Sequence, residues 1–327
     1  MTTPTPTAAP ADPNRPHPLR RLWDRVGMLL ILGLLIVAGC LLSDAFATVP
    51  NLRAILLSVV TVGLLACTMA FCLAAGDFDL SVGSVVALSS MVAAIVANQT
   101  GSAAVGVLAA AAAGTAVGLT NGLVIARLGV NALIATLATM QMVRGLALLA
   151  NDGQSEVVTV ASYGNLAAAA PLGLPVPAPV LILIATFGVA GFLLHLTAFG
   201  RHTLAIGGNA EAARLAGIRV VRTKTVIFTL QGLVAGVAGA VLTARFASGQ
   251  PNTALGLELQ VISACVLGGV SLTGGVGTIG GVAVGVLIMG VVENLMSLQN
   301  LDSFWQYVVR GGVLLAAVLL DRLRARG

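Results

Sequence analysis

The chain has 327 residues, 57% of them apolar and 9% charged, with a mean hydropathy of +1.00. Soluble domains carry about 25% charged residues, so a soluble enzyme is excluded. Ten bilayer spans of about 20 residues would use about 200 positions, leaving too few for a second globular domain. The net charge of +5 comes from 17 basic and 12 acidic residues, and no basic run has the interleaved aromatics of a nucleic-acid binder.

Thr2 to Pro18 is rich in Pro, Thr and Ala, so residues 1–22 are expected to form a disordered cytoplasmic tail and 23–327 one transmembrane domain. Eighteen uncharged residues separate Arg25 from Asp44, and 23 separate Arg53 from Asp77. Val37-Ala38-Gly39-Cys40 has the small residues of a lipoprotein cleavage site. Cleavage would upset the charge asymmetry described below, so 27–43 reads as an uncleaved first span. Leu80 to Ala126 is 47 uncharged residues, enough for two spans turning near Asn98-Gln99-Thr100-Gly101.

Segment 131–150 is a span containing Arg144, and one at about 178–198 follows a Pro-rich approach (Pro171, Pro175, Pro177, Pro179). Thr225 to Ala244 is another. Leu259 to Val292 is broken at Gly274-Gly275-Val276-Gly277, and 304–320 comes last. The fold class is all-α: a polytopic membrane protein of about ten transmembrane helices, with the pieces around 76–83 and 268–277 broken rather than continuous. The count falls to eight or nine if those pieces do not cross. The cysteines (Cys40, Cys67, Cys72, Cys265) lie in apolar segments without metal-ligand spacing and read as buried free thiols.

Arg15, Arg20, Arg21 and Arg25 precede the first span, and Arg322, Arg324 and Arg326 follow the last. With Arg127, Arg201, Arg214, Arg219, Arg222 and Lys224, 13 of 17 basic residues fall on one face of a ten-span chain. The positive-inside bias then makes both termini and the 199–224 loop cytoplasmic.

Three landmarks recur in order in both halves. Gly76-Asp77-Phe78-Asp79-Leu80-Ser81-Val82-Gly83 matches Gly268-Gly269-Val270-Ser271-Leu272-Thr273-Gly274-Gly275, Asn121 matches Asn294, and Arg144-Gly145 matches Arg310-Gly311, each within R-G-x-x-L-L-A. An offset of five spans is odd, so the copies run in opposite directions. Such an inverted internal repeat is how many transporters are built.

Asp77, Asp79, Arg144, Glu293 and Arg310 sit in or beside apolar segments, where a central charge costs about 2.5–3.5 kcal/mol and so faces the interior, water or a partner. Asp79 and Ser81 can cap the helix that follows them, line a pathway or meet a basic residue. Arg144 and Arg310 can bridge helices or line a path. His195 and His202 flank the membrane edge.

Glu211-Ala212-Ala213-Arg214-Leu215-Ala216-Gly217 reads as a short helix capped by Asn209 and ended by Gly217. Ala212 and Ala213 are small enough for close approach in a groove. This E-A-A-x-x-x-G in a cytoplasmic loop resembles the ATPase-coupling motif of ABC importer permeases, although Ile218-Arg219-Val220-Val221 departs from the I-x-L-P that many of them carry. The chain further resembles the monosaccharide permeases of the ribose, galactose, xylose and arabinose importers. That likeness runs through 76–83, Gly200-Arg201-His202-Thr203-Leu204-Ala205-Ile206-Gly207-Gly208-Asn209 and Val266-Leu267-Gly268-Gly269-Val270-Ser271-Leu272. Segments 131–141, 72–79 and 306–311 resemble the L-arabinose members most.

The resemblance implies a permease subunit of the bacterial inner membrane that imports a monosaccharide, L-arabinose. It implies a homodimer with the pathway at its interface, two ATPase subunits below and an extracytoplasmic sugar-binding protein outside. Asn209, Glu211, Ala212, Ala213, Arg214 and Gly217 would couple to the ATPase. Asp77, Asp79, Ser81, Arg144, Asn294 and Arg310 would line the pathway or lock helices. No cofactor is expected on this chain; without a G-x-x-x-x-G-K-[S/T] phosphate loop, ATP belongs to the partner ATPase. The alternative is an ion-coupled secondary transporter using Asp77, Asp79 or Glu293 as a relay. An intramembrane enzyme has no nucleophile–base pair to support it.

Overall fold

The computed structural model describes residues 18–168 and 176–326. In chain order these form α1 (Pro18–Leu42), α2 (Val49–Ala74), α3 (Val82–Thr100), α4 (Ala103–Ala126), α5 (Ala132–Leu149), β1 (Glu156–Val157), α6 (Ala161–Ala168), α7 (Ala178–Leu196), α8 (Ala198–Gly208), α9 (Ala210–Leu215), α10 (Val220–Phe246), β2 (Ser248–Gly249), α11 (Leu257–Leu267), α12 (Ile279–Leu298) and α13 (Ser303–Arg326). The expected tail lies mostly outside the described residues, as do Pro171 and Pro175 of the Pro-rich approach. Helix α1 already begins at Pro18, inside the segment expected to be tail up to residue 22. Proline at the first helical position has its φ preset and gives up no hydrogen bond there.

Helices α2, α3, α4, α5, α7, α10 and α12 are each long and apolar enough to cross a membrane. Helices α1 and α13 carry the apolar stretches Gly27–Leu42 and Phe304–Leu319. Helix α11 has 11 residues, about 16 Å, which covers only half of a ~30 Å hydrocarbon core. The ten apolar helices fall where spans were expected, and the chain is broken at 268–278 and again at 75–81.

Helix α2 is apolar all round, and nearly every residue from Val59 to Ala74 is buried, so it forms the centre against α7, α10, α11 and α12. Lipid is as apolar as leucine, so helices in a bilayer gain from close packing rather than from escaping water. Helices α4 and α10 achieve it with glycine. A Cβ on Gly118 would collide with the Phe228 carbonyl, and one on Gly232 with the Gly114 carbonyl. The Gly236 Cβ would lie 2.5 Å from the Ala110 carbonyl.

The contacts reveal an antiparallel plan. Arg245, at the end of α10, donates to Leu57 O near the start of α2 at 3.0 Å, while Lys224 near the start of α10 meets Asp77 just past the end of α2. Helix α4 packs on α10 and α3, while α12 packs on α2 and α11. Helix α5 packs on α3 as α13 packs on α11. Helices α2 to α5 therefore correspond to α10 to α13 with reversed direction.

That correspondence corrects one landmark of the repeat. Asn121 and Asn294 lie on the paired helices α4 and α12, and Arg144 and Arg310 on the paired α5 and α13. The first landmark does not pair, because 76–83 precedes α3 whereas 268–275 follows α11. The true counterpart of 75–81 is 247–256, which precedes α11. It runs back along α3 from Gln250, whose N–H meets Ser90 Oγ at 3.3 Å, to Ala254, whose carbonyl lies 2.5 Å from where a Gly83 Cβ would be. Just past it, Glu258-Leu259 in the first turn of α11 repeats the acid–Leu pair of Asp79-Leu80, which lies just before α3.

The 151–177 loop is tied to this segment by the antiparallel β1–β2 pair, Glu156 opposite Gly249. Cys67, Cys72 and Cys265 are buried free thiols as expected, but Cys40 is exposed on the outer face of α1. Helix α1 also exposes Leu30, Leu34 and Leu41.

Candidate coupling and translocation sites

Helices α8 and α9 form an arm between α7 and α10. Asn209 accepts the Ala212 N–H at 2.9 Å and so caps α9. Gly217 turns the chain out with φ +86°. Nothing lies within 4 Å of the place a Cβ would take there, yet the backbone conformation itself disfavours any residue that has one. Glu211 and Arg214 pair at 2.6 Å across one turn, fully in solvent. The Arg214 guanidinium holds the Glu211 carboxyl below its usual range, so the pair weakens only as pH falls through that lowered value.

The outward face of α9 is Glu211, Ala212, Arg214 and Leu215, with Leu215 78% exposed. Ala213 corrects the sequence reading. It is 5% exposed and faces the body of the chain, because successive helical residues point about 100° apart. Only Ala212 of the two alanines is open to a partner.

The arm is seated backbone to backbone. A Cβ on Gly207 would collide with the Ala74 carbonyl and lie 2.5 Å from Gly275 N. Gly275 N–H in turn donates to Ala74 O at 2.9 Å. One end of α8 thus touches both the end of α2 and the 268–278 break. His195 accepts the Ile279 N–H at 3.3 Å and joins the same cluster to the start of α12, while His202 is half-buried on α8.

Two polar chains cross the interior, one in each half. In the first, Asp79 accepts from Ser81 N at 2.9 Å and from Ser81 Oγ at 2.6 Å. Asn121 donates to Ser81 Oγ at 3.0 Å and accepts from Thr139 Oγ1 at 2.7 Å. Ser81 occupies the N-cap position of α3, yet its hydroxyl is spent on Asn121 and Asp79 rather than on the helix. In the second, Glu293 Oε1 accepts from Gln260 at 2.6 Å and lies 2.8 Å from Arg310 Nε. The chains join equivalent elements: α3–α4–α5 and α11–α12–α13.

The other intramembrane charges are matched as well. Lys224 Nζ lies 3.0 and 2.8 Å from the two oxygens of Asp77. Arg144 donates to the carbonyls of Pro251 at 2.6 Å and Thr253 at 2.9 Å, fastening α5 to the 247–256 segment. Asn294 exchanges two amide hydrogen bonds with Asn51, 2.7 and 3.0 Å, fastening α12 to α2. Arg310 additionally lines a cavity of about 110 Å³ between α11 and α13, together with Gln260, Ser263 and Tyr307. Asp77, Ser81, Arg144, Asn294 and Arg310 therefore bridge elements, Asp79 acts locally on Ser81, and Arg310 also borders that opening. Sequence reasoning missed Lys224, Thr139, Gln260 and the acceptor carbonyls. The acid–Leu pair at Glu258-Leu259 was the available signal for the second half.

Breaking the second chain from one side should be costly. Arg310→Met leaves Glu293 without its cation, and on the order of 2 kcal/mol should be lost, less than the 3–5 kcal/mol of a fully buried pair because Arg310 is partly exposed. Arg310→Met with Glu293→Gln should recover most of the thermal unfolding midpoint in detergent. A double variant as unstable as the single one would show that the pair is not what the helices share.

Several relatives match along almost the whole chain. The L-arabinose transport system permease protein AraH of Escherichia coli (strain K12) is 51% identical over 320 residues, 98% of this chain and 97% of that one. An L-arabinose ABC transporter permease protein of Azospirillum brasilense is 48% identical, covering 99% of this chain and 95% of its own. The ribose import permease protein RbsC of Bacillus subtilis (strain 168) is 41% identical, covering 93% and 94%. No solved structure matches the chain. With a family model matching residues 51–318, the chain belongs to the permease family described as branched-chain amino acid transport system / permease component.

Proposed function

We propose that the chain is the membrane-spanning permease subunit of an ATP-binding-cassette importer and carries a monosaccharide, L-arabinose, into the cytoplasm. The observation that carries this reading is 51% identity to an L-arabinose transport permease over 98% of the chain. The capped, outward-facing α9 supports it. In this reading α9 docks on a separate ATPase that binds and hydrolyses ATP, two copies of the chain enclose the pathway, and an extracytoplasmic binding protein delivers the sugar. Both termini and the α8–α9 arm lie in the cytoplasm.

The arm supplies a route for the stroke. Force on α9 reaches Gly207, and through it the end of α2 and the 268–278 break, without passing through a flexible linker. In this reading the α11–α13 cavity contributes sugar contacts, with Tyr307 offering a ring and Gln260, Ser263 and Arg310 offering hydrogen-bonding groups. The ion-coupled reading loses ground because Asp77 and Glu293 are each paired with a cation, Lys224 and Arg310.

Vesicles reconstituted with the permease, its ATPase and its binding protein should take up labelled arabinose in preference to ribose, xylose and galactose. Uptake should stop when ATP is withheld and continue with an uncoupler; the reverse pattern would establish ion coupling. Cysteine labelling supplies the orientation. Gly208→Cys should react from the cytoplasm and Gly153→Cys from outside, and labelling of both from one side would overturn the assigned topology.

A further inference from the structure

We propose that the groove between α8 and the start of α10 holds the headgroup of an anionic phospholipid. The groove is about 440 Å³ and is lined by Phe199, His202, Gly217, Arg219, Arg222, Thr223 and Val226. It contains two guanidinium groups, one imidazole and no carboxylate. Among the described residues neither Arg219 nor Arg222 forms an ion pair, unlike Arg214, Lys224 and Arg310, which all do. Two unneutralised guanidinium groups converging on one groove have charge complementary to a phosphate, which guanidinium binds through paired N–H donors.

In the proposed orientation the groove sits at the depth of a headgroup, because Arg219 and Arg222 stand at the start of α10, a helix long and apolar enough to cross a membrane. Val226, one turn further along α10, and Leu196, at the end of α7, are exposed apolar side chains of the kind acyl chains cover. Phe199, stacked on Phe71, adds an apolar ring to the lining. A free anion would satisfy the charges but not this apolar flank. Basic pockets between transmembrane helices near the membrane surface select anionic headgroups on the same grounds. Gly217 closes the groove and also ends α9, so an occupying lipid would brace the coupling arm. The lipid site itself does not depend on which sugar is carried.

The test uses the full-length permease in neutral detergent, with phosphatidylglycerol, phosphatidylcholine and inorganic phosphate as probes. Retained lipid is read by native mass spectrometry and the unfolding midpoint by thermal scanning. Phosphatidylglycerol should bind saturably and raise the midpoint, and phosphatidylcholine should do neither. Arg219→Gln should weaken phosphatidylglycerol about fivefold, and Arg219→Gln with Arg222→Gln about thirtyfold, at about 1 kcal/mol for each basic residue. Arg201→Gln, an exposed charge outside the groove, should leave binding unchanged. Equal loss from Arg201→Gln would reduce the effect to general surface charge. An equal midpoint shift from inorganic phosphate would make the groove a free-anion site. Full lipid binding in the double variant, with loss of ATPase co-purification, would assign the groove to the ATPase. Each of these three results overturns the proposal.

Discussion

Gly232→Leu should give no monodisperse protein in any mild detergent, whereas Gly188→Leu should purify like the unaltered chain. At Gly232 the backbone of α4 stands where the side chain would go: a Cβ would strike the Gly114 carbonyl and lie 2.7 Å from Gly118 Cα. Backbone cannot rotate aside as a flexible side chain does, so α4 and α10 must separate along their whole contact. Overpacking costs about 1–3 kcal/mol where side chains can shift, and the cost here falls at or above the top of that range. The reach is long because Gly236 and Gly118 share the same contact. At Gly188, on the exposed face of α7, nothing lies within 4 Å of the added Cβ. Size-exclusion profiles of the two variants decide the matter. A sharp peak from Gly232→Leu would mean that the two backbones are not in contact.

Leu215→Glu and Ala212→Trp should leave the permease folded, with normal yield and unfolding midpoint, yet reduce both ATPase co-purification and sugar uptake at least about tenfold, equivalent to about 1.4 kcal/mol of binding. Both side chains point away from the chain, so neither change disturbs internal packing. Ala213→Trp should behave differently. That residue is turned inward, so the variant should lose stability first and association only as a consequence. Glu211→Ala should do little, since its pair with Arg214 lies in solvent and is screened by salt. Pull-down and uptake measured on the same preparations separate these outcomes. Unchanged ATPase binding in both Leu215→Glu and Ala212→Trp would make α9 an ordinary surface helix.

The sequence announced what local chemistry dictates. Apolar runs between charges located the ten helices, because a hydrocarbon core tolerates few unmatched charges. Asn209 and Gly217 marked the ends of α9, since capping and left-handed turns depend on residues within a few positions. Partner choice was not legible. Asp77 takes Lys224 from 147 residues away, and Arg144 takes two main-chain carbonyls that have no side-chain signature at all. The repeat shows both sides of this divide. Its Asn and Arg landmarks fell on equivalent helices, but their partners differ: Asn121 meets Ser81 and Thr139 while Asn294 meets Asn51, and Arg144 takes main-chain carbonyls while Arg310 takes Glu293. Its glycine-rich landmark misled because glycine recurs wherever backbones touch. Glycine at 268–275 meets α12 and the arm, while glycine at 76–83 meets the arm and the 247–256 segment.

The interruptions at 75–81, 247–256 and 268–278 have a mechanical consequence. A helix is stiff because each turn is cross-linked to the next, and bending it means stretching a ladder of hydrogen bonds. Where the ladder is absent, rotation of a few backbone dihedrals suffices, and compliance concentrates there as it does at the joints of a linkage. The adjoining helices can then change tilt as stiff rods. Two of those joints bear on Gly207 and the third is clamped by Arg144. Loosening that clamp, by Arg144→Gln, would therefore free one joint while the other two stayed engaged, so the two halves would lose step with each other before either lost its fold.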